Sequence, residues 1–341
     1  MELMHILETA FNAVIPIVLM ILLGYLLHRS GAMNDNFVKF GNRLGFNLFL
    51  PTMLFVNVYS IESVDVIRWD VVLYCVPMIL VIFLLCIATL GFTTRVPERR
   101  GVILQGSFRS NMAIIGLTLS STLGGPEAVA VAAILSAFTI PVMNVLAVVA
   151  LSLYVTPEGN SKPSVKKILL NIAKNPLIIA ISLGLVCLVI RSVQVNLFGE
   201  VVFSLSEDLK FIYTCLTYLK SVASPLALLV LGGQFEFGAT RNFLREIVAG
   251  TLWRVVLAPL VAIGTAVVLT HMGILNFGAN EFPALIALFG TPVAVSTAVM
   301  AGQMGNDEQL ATQLVVWSSI GSIVTMFLTV CLLMAGGMLS V

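Results

Sequence analysis

The sequence predicts an all-α integral membrane protein of ten transmembrane helices. We expect two inverted five-helix repeats, with the fourth and ninth helices broken near the membrane midplane. Hydrophobic residues make up 59% of the 341 residues and charged residues only 10%. The mean hydropathy of +1.04 is far above that of soluble globular domains. The apolar residues are gathered in long runs that short polar segments separate, which indicates a chain surrounded by the lipid bilayer.

The runs have the length that spanning helices need, because roughly 20 apolar residues cross the hydrocarbon core. They cover residues 12–27, 40–58, 71–92, 102–123, 128–155, 168–190, 211–231, 247–270, 283–304 and 310–338. These runs leave no room for a soluble domain. The net charge of +1 argues against a nucleic-acid partner, since binding to phosphates requires a strongly basic surface.

The distribution of cations predicts the orientation of a multi-pass protein in the cell membrane. When the loops are assigned alternately to the two sides, one side collects Arg29, Lys39, Arg95, Arg99, Arg100, Lys162, Lys166, Lys167, Lys174, Arg241 and Arg245. The other side collects only Arg68, Arg191 and Lys210. The positive-inside rule therefore places the segment 156–167 in the cytoplasm and both chain termini outside it.

The same segment, "TPEGNSKPSVKK", divides the chain into two halves. We predict a first five-helix repeat over 1–155, a cytoplasmic linker over 156–167 and a second repeat over 168–341. An odd number of helices in each half means that the second half enters the membrane the other way up, so the repeat must be inverted.

Matched proline and glycine positions favour this repeat. Pro16 precedes Gly24 by eight residues in the first run, and Pro176 precedes Gly184 by the same interval in the sixth. The second and seventh runs each contain one interior proline, Pro51 and Pro225, and Glu127 and Glu308 stand before the fifth and tenth runs.

The fourth and ninth runs contain the clearest functional signal. When they are aligned on the two glutamates, "RSN" at 109–111 falls level with "GTP" at 290–292, and both lie near the middle of a span. Freed backbone groups in lipid must be satisfied by protein or by a water-filled cavity. Matched interruptions in two halves therefore indicate a transporter binding site, although kinks that bind nothing remain the alternative.

The motifs around these interruptions resemble the bacterial branch of the auxin efflux carrier family. They are "SFRSNMAIIGLTL" and "GGPEAVAVAAIL", together with "NLFLPTMLF" and "LFGTPVAVSTAVMAGQMGNDEQLA". The resemblance covers essentially the whole chain and implies ten spans in a five-plus-five inverted repeat, similar to bile-acid sodium symporters, with helices four and nine broken and crossing near the midplane. It also implies organic anions and weak acids as substrates and, by analogy with plant relatives, a homodimer. Thr118 stands where many bacterial members have proline.

The candidate substrate-binding residues are Arg109, Asn111, Gly116, Thr118, Gly290, Thr291, Pro292, Ser296 and Thr297, with Asn47 and Pro51 as supporting residues. A cation at the bilayer centre is costly, so Arg109 should face a cavity, a partner or a ligand. Three roles are open for it: binding a substrate carboxylate, donating to carbonyls freed by the broken helices, or snorkelling to the interface. We expect Arg43 and Arg254 to snorkel, and the role of Lys220 is undecided.

No Asp, Glu or His lies at the middle of a run, so we expect no catalytic residues, no metal site and no cofactor. The preferred function is a secondary carrier for small organic anions, such as dicarboxylates or auxin-like carboxylates, that works by alternating access. The alternative is a membrane protein that senses a ligand in the same pocket without transporting it.

Overall fold

A computed structural model of the chain describes residues 2–60, 68–154 and 173–339, and every regular element within these ranges is helical. The α-helices are α1 (Glu2–Arg29), α2 (Asp35–Leu44), α3 (Leu50–Tyr59), α4 (Trp69–Thr93), α5 (Pro97–Phe108), α6 (Leu117–Tyr154), α7 (Pro176–Phe198), α8 (Lys210–Gln234), α9 (Leu244–Leu252), α10 (Ala258–His271), α11 (Glu281–Leu285), α12 (Ser296–Gln303) and α13 (Glu308–Ala335). Four π-helical turns are Gly45–Phe49, Met112–Gly116, Trp253–Leu257 and Ile286–Gly290, and Phe237–Phe243 is a 3₁₀-helix. The predicted linker 156–167 lies outside the described residues.

Six helices in the described ranges are long and apolar enough to cross a membrane: Trp69–Thr93, Leu119–Tyr154, Pro176–Phe198, Lys210–Gln234, Thr240–His271 and Glu308–Ala335. Val18–Arg29 and Glu281–Gly290 are shorter apolar helices. Among the residues that the structure describes there are thus fewer uninterrupted long spans than the ten apolar runs. The fourth and ninth runs produce no continuous long helix because non-helical residues interrupt each of them.

One group of helices, called here the first helix group, consists of α1, α2, α3, α7 and α8. Within it α1 packs along α8, and α3 packs along α7. Glycines permit both close approaches. A methyl group at Gly24 in α1 would lie 2.1 Å from the carbonyl oxygen of Leu229, and one at Gly184 in α7 would lie 2.8 Å from Cβ of Val58.

The remaining helices, α4 to α6 and α9 to α13, form the second helix group. α5 lies at its centre, in contact with α4, α6, α9 and α13, and its residues from Gly101 to Phe108 are all buried. α6 begins in the fourth apolar run and continues through the fifth. It bends sharply at Gly125, whose positive φ of 64° suits a residue without a side chain.

Ion pairs join the ends of the second helix group. At one end Arg68, which precedes α4, donates to Glu281 at the start of α11 over 2.6 Å. At the other end Arg99 of α5 pairs with Glu246 of α9 at 2.9 Å and with Asp307, which caps α13, at 3.1 Å. The interrupted helices are thus anchored at both ends of the group.

Candidate functional site

The fourth apolar run is broken at the predicted place. α5 ends at Phe108, and the N–H of Arg109 makes the last helical bond of that segment, to the carbonyl of Gln105 at 3.1 Å. Arg109 has an extended backbone, with φ −82° and ψ 102°. The chain returns to helix only in the π-helical turn Met112–Gly116. The break at 109–111 therefore needs no proline at position 118.

The ninth run is broken in a matching way. Its first half ends in the π-helical turn Ile286–Gly290, and Thr291 has an extended backbone with φ −70° and ψ 155°. Helix resumes at Ser296 with α12. The "GTP" motif thus marks the exit from one helical segment, and three further residues separate it from the next segment.

The two broken segments bond to each other. The N–H of Asn111 donates to the carbonyl of Pro292 at 2.9 Å, and the N–H of Ala294 donates to the carbonyl of Arg109 at 3.1 Å. Together these bonds form an isolated antiparallel bridge between Ser110 and Val293. Each interruption alone would leave backbone groups without hydrogen-bond partners in lipid. Here each break supplies some of the partners that the other needs.

Arg254 satisfies further carbonyl groups next to the two breaks. Its side chain is fully buried and donates to the carbonyls of Leu288, Phe289 and Thr291, each at 2.8 Å. A weaker contact of 3.4 Å reaches the carbonyl of Ser107 in α5. The prediction that Arg254 snorkels to the interface is therefore wrong: it lies in a π-helical turn that directs it inward, where it supports the broken ninth run and reaches the fourth.

Arg109 is buried as well, with 5% of its surface exposed, but its contacts differ. Nη2 donates to the side-chain oxygen of Asn144 in α6 at 2.6 Å, and Asn144 is held in turn by the carbonyl of Ile140. Nη1 has no partner among the described residues, and neither has Nδ2 of Asn111. Arg109 thus supports no broken-helix carbonyl with its side chain and keeps donor capacity free.

A small cavity of about 50 Å³ lies beside these free donors. It is lined by Leu50, Met53, Leu54, Arg109, Ser110, Asn111, Ile140, Met143, Asn144, Leu177, Ala223, Ser224, Ala227, Ala294, Val295 and Ser296. Its wall combines apolar side chains of the first helix group with the polar residues at the two breaks. The space suits a few water molecules, since one water needs about 10–15 Å³.

The predicted site residues occupy three kinds of position. Arg109, Asn111 and Ser296 line the cavity. Gly116, Gly290, Thr291 and Pro292 do not line it but shape the breaks: a methyl group at Gly116 would lie 2.9 Å from Cβ of Ala287, and the hydroxyl of Thr291 donates to the carbonyl of Ala287. Thr297 is buried away from the cavity, and the side chain of Thr118 lies outside the described ones.

The two predicted supporting residues lie outside the cavity lining. Asn47 is exposed and donates to the carbonyl of Arg43 at 2.8 Å, a bond within the helix. Pro51 is half-buried in the first turn of α3, whose neighbouring residues Leu50, Met53 and Leu54 do line the cavity. The contribution of α3 to the site is therefore an apolar wall.

Sequence reasoning missed Arg254 and Asn144 as parts of the site. Arg254 lies seven residues inside the run 247–270, which at 1.5 Å per residue is about 10 Å from its start. That depth was a usable signal against snorkelling. Asn144 is a lone amide within the apolar run 128–155, and nothing in the sequence connects it with Arg109.

The fold and the site define a multi-pass helical membrane protein in which two interrupted helices are hydrogen-bonded to each other at their breaks, beside a buried cation. A family model described as "Membrane transport protein" matches residues 9–330. The chain belongs to this family, the auxin efflux carrier family that the motifs predicted. It is a family of membrane transporters and not of enzymes. A comparison with curated proteins found no match.

Proposed function

We propose that the protein is a secondary carrier for small organic anions and that Arg109 binds the substrate carboxylate. The observation that carries this proposal is the free Nη1 of a buried guanidinium at the wall of a cavity between two helix breaks. Neither Arg109 nor Arg254 forms an ion pair with a carboxylate among the described residues. An uncompensated positive charge in an apolar interior favours an anionic ligand.

The chemistry of the cavity wall supports a carboxylate attached to a small apolar body. Nη1 of Arg109 and Nδ2 of Asn111 are both donors without a partner, and a carboxylate accepts from two donors at once. Leu50, Met53 and Leu177 form part of the opposite wall, where they would pack against carbon atoms of the substrate. A cation as substrate would meet only repulsion from Arg109.

The position of the cavity supports alternating access. Residues of α3, α7 and α8 in the first helix group form one wall, and the two breaks in the second group form the other. A cavity of about 50 Å³ must widen to take a dicarboxylate, and it widens when the two groups separate. Movement of one group against the other would open the cavity first to one side of the membrane and then to the other.

Packing within the first helix group supports the five-plus-five inverted repeat as part of the proposal. An inverted repeat exchanges the first run with the sixth and the second with the seventh, so it turns the contact of α1 with α8 into the contact of α3 with α7. Both contacts are extensive. Gly24 and Gly184, which the sequence pairs, lie at the close approach in the respective contacts.

Uptake by proteoliposomes that contain only the purified protein tests the proposal and separates a carrier from a ligand sensor. Radiolabelled malonate, malate and indole-3-acetate are offered with an inward gradient and a defined membrane potential. We expect saturable uptake of at least one anion and none of a cation of similar size. Binding of an anion without uptake would favour the sensor and overturn the carrier.

A further inference from the structure

Lys220 lies on the face of α8 that leads to the cavity. Ala223, Ser224 and Ala227 are the residues of α8 that line the cavity. Lys220 precedes them by three, four and seven residues, the spacings that place helical residues on one face. α8 begins at Lys210, so Lys220 stands one turn before the cavity on the side of the membrane where α8 begins.

The most exposed large apolar residues of α8 lie on the opposite face. Phe211, Tyr218 and Val222 are exposed, the first two by 73% and 69%, and Cys215 is exposed with them. Their spacing places them on one stripe. At about 100° per residue, Tyr218 and Val222 are each about 160° from Lys220 around the helix. Ile212 and Thr217, about 80° and 60° from Lys220 around the helix, are exposed as well. Lys220 therefore lies at the border of the exposed surface of α8 and not at its centre.

Lys220 is nevertheless partly exposed. Its ammonium group has no hydrogen bond or ion pair to any residue that the structure describes. A partly buried ammonium that pairs with none of the described residues can be satisfied by water or by an anion. The cavity lies one turn further along the same face of α8, which gives water or an anion in it a short path to Lys220.

We propose that Lys220 is a second cation on the substrate path, which attracts organic anions on their way to Arg109 and favours those with two negative charges. The proposal rests on the anion-carrier function proposed above. A lysine suits this position because its ammonium is a strongly hydrated point charge that attracts an anion without holding it in one geometry. A cation in a narrow apolar seam raises the local concentration of anions and their rate of entry.

Thiol labelling tests the placement without any assumption about the substrate. Lys220→Cys is made in full-length protein that also carries Cys215→Ser, which removes the exposed cysteine on the same helix. An impermeant methanethiosulfonate reagent is added from the side on which α8 begins. We expect Lys220→Cys to react and the matched control Tyr218→Cys, on the lipid face, to stay unreacted. An unreactive Lys220→Cys in folded protein would overturn the proposal.

Transport by Lys220→Gln tests the role. We expect the KM for malonate to rise about tenfold at low salt with kcat little changed, since the lost attraction acts on entry. The KM for a monoanion such as propionate should rise less, and added salt should shrink both effects. Lys210→Gln, at the exposed start of the same helix, is the control. An unchanged KM for malonate overturns the role of Lys220, whereas absence of uptake by the unmodified protein overturns the carrier function and leaves the labelling result standing.

Discussion

The N–H of Asn111 donates to the carbonyl of Pro292 over 2.9 Å, and this bond joins the two interrupted helices at their breaks. Its neighbour, from Ala294 to the carbonyl of Arg109, holds the backbone of Arg109 in the extended conformation that ends α5. The guanidinium of Arg109 is therefore carried by a fixed backbone. A preorganised cation beside a cavity is what selective binding of an anion requires.

Arg109→Ala should abolish most substrate binding while the protein stays folded. Loss of a desolvated charge-assisted contact costs about 2–5 kcal/mol, or roughly thirty-fold or more in affinity. Without substrate, the melting temperature should hold or rise, because a buried cation is removed and only the bond to Asn144 is lost. Arg109→Lys should bind more weakly than the unmodified protein, since an ammonium lacks the bidentate geometry of guanidinium. Reduced stability with unchanged affinity in the folded fraction would contradict the carboxylate-binding role.

Arg254→Met should show the opposite behaviour and destabilise the fold. Three buried carbonyls lose their donor, each at about 1–3 kcal/mol, and removal of a buried charge offsets part of that cost. We expect a net loss of about 3 kcal/mol in the free energy of unfolding, read as a lower melting temperature in detergent. Arg241→Met, at an exposed position nearby, is the control. Equal melting temperatures for the two variants would show that the hydrogen bonds of Arg254 do not stabilise the fold.

Glu308→Ala should loosen the contact between the two helix groups. Glu308 begins α13 in the second group and accepts from Asn42 at 2.5 Å and from Gln234 at 2.7 Å, both in the first group. Charge-assisted bonds are about twice as strong as neutral ones, so their loss should favour opening about tenfold. The measurement is the labelling rate of Ser224→Cys in the cavity from the side on which Glu308 lies. Glu236→Gln is the control: the exposed carboxylate of Glu236 accepts from one side chain of α13, that of Gln309, and its replacement should leave the labelling rate unchanged. An unchanged labelling rate in Glu308→Ala would show that Glu308 does not hold the two helix groups together.

Gly24→Ala should destabilise the contact of α1 with α8. The added methyl would lie 2.1 Å from a backbone oxygen, which side-chain movement cannot relieve, so the helices must move apart. Overpacking of this kind costs about 1–3 kcal/mol. Gly264→Ala in α10 is the matched control, because nothing lies within 4 Å of its added methyl and alanine favours helix. Melting temperatures of the two variants should move in opposite directions, and equal values would contradict the close packing.

The predicted orientation can be tested with two exposed positions. Cysteines are introduced separately at Glu236, after α8, and at Glu200, after α7, both of which are exposed. The positive-inside rule expects Glu236→Cys in the cytoplasm and Glu200→Cys outside it. In intact cells an impermeant thiol reagent should therefore label only Glu200→Cys. Labelling of Glu236→Cys alone would show that the orientation is the reverse of the predicted one.

The sequence determined the features that depend on composition and on local backbone chemistry. Apolar runs of spanning length predicted a helical membrane protein, and "RSN" and "GTP" located both interruptions to within a residue or two. It also paired Gly24 with Gly184, which both lie at close helix contacts. These predictions succeeded because helix formation, its interruption by polar residues, Gly or Pro, and insertion into lipid act on short stretches of chain.

The tertiary structure decided what each buried side chain does. Arg109 and Arg254 are both cations within apolar runs, and the sequence analysis assigned the wrong fate to Arg254 because it treated the residue as lying near a helix end. Its depth in the run argues against snorkelling, but only the packed fold shows which carbonyls its side chain reaches. The π-helical turn at Trp253–Leu257 turns Arg254 toward carbonyls of the broken ninth run. With those carbonyls satisfied, Nη1 of Arg109 is left free at the cavity. That division of roles depends on contacts between residues far apart in the chain, and only the packed molecule brings such residues together.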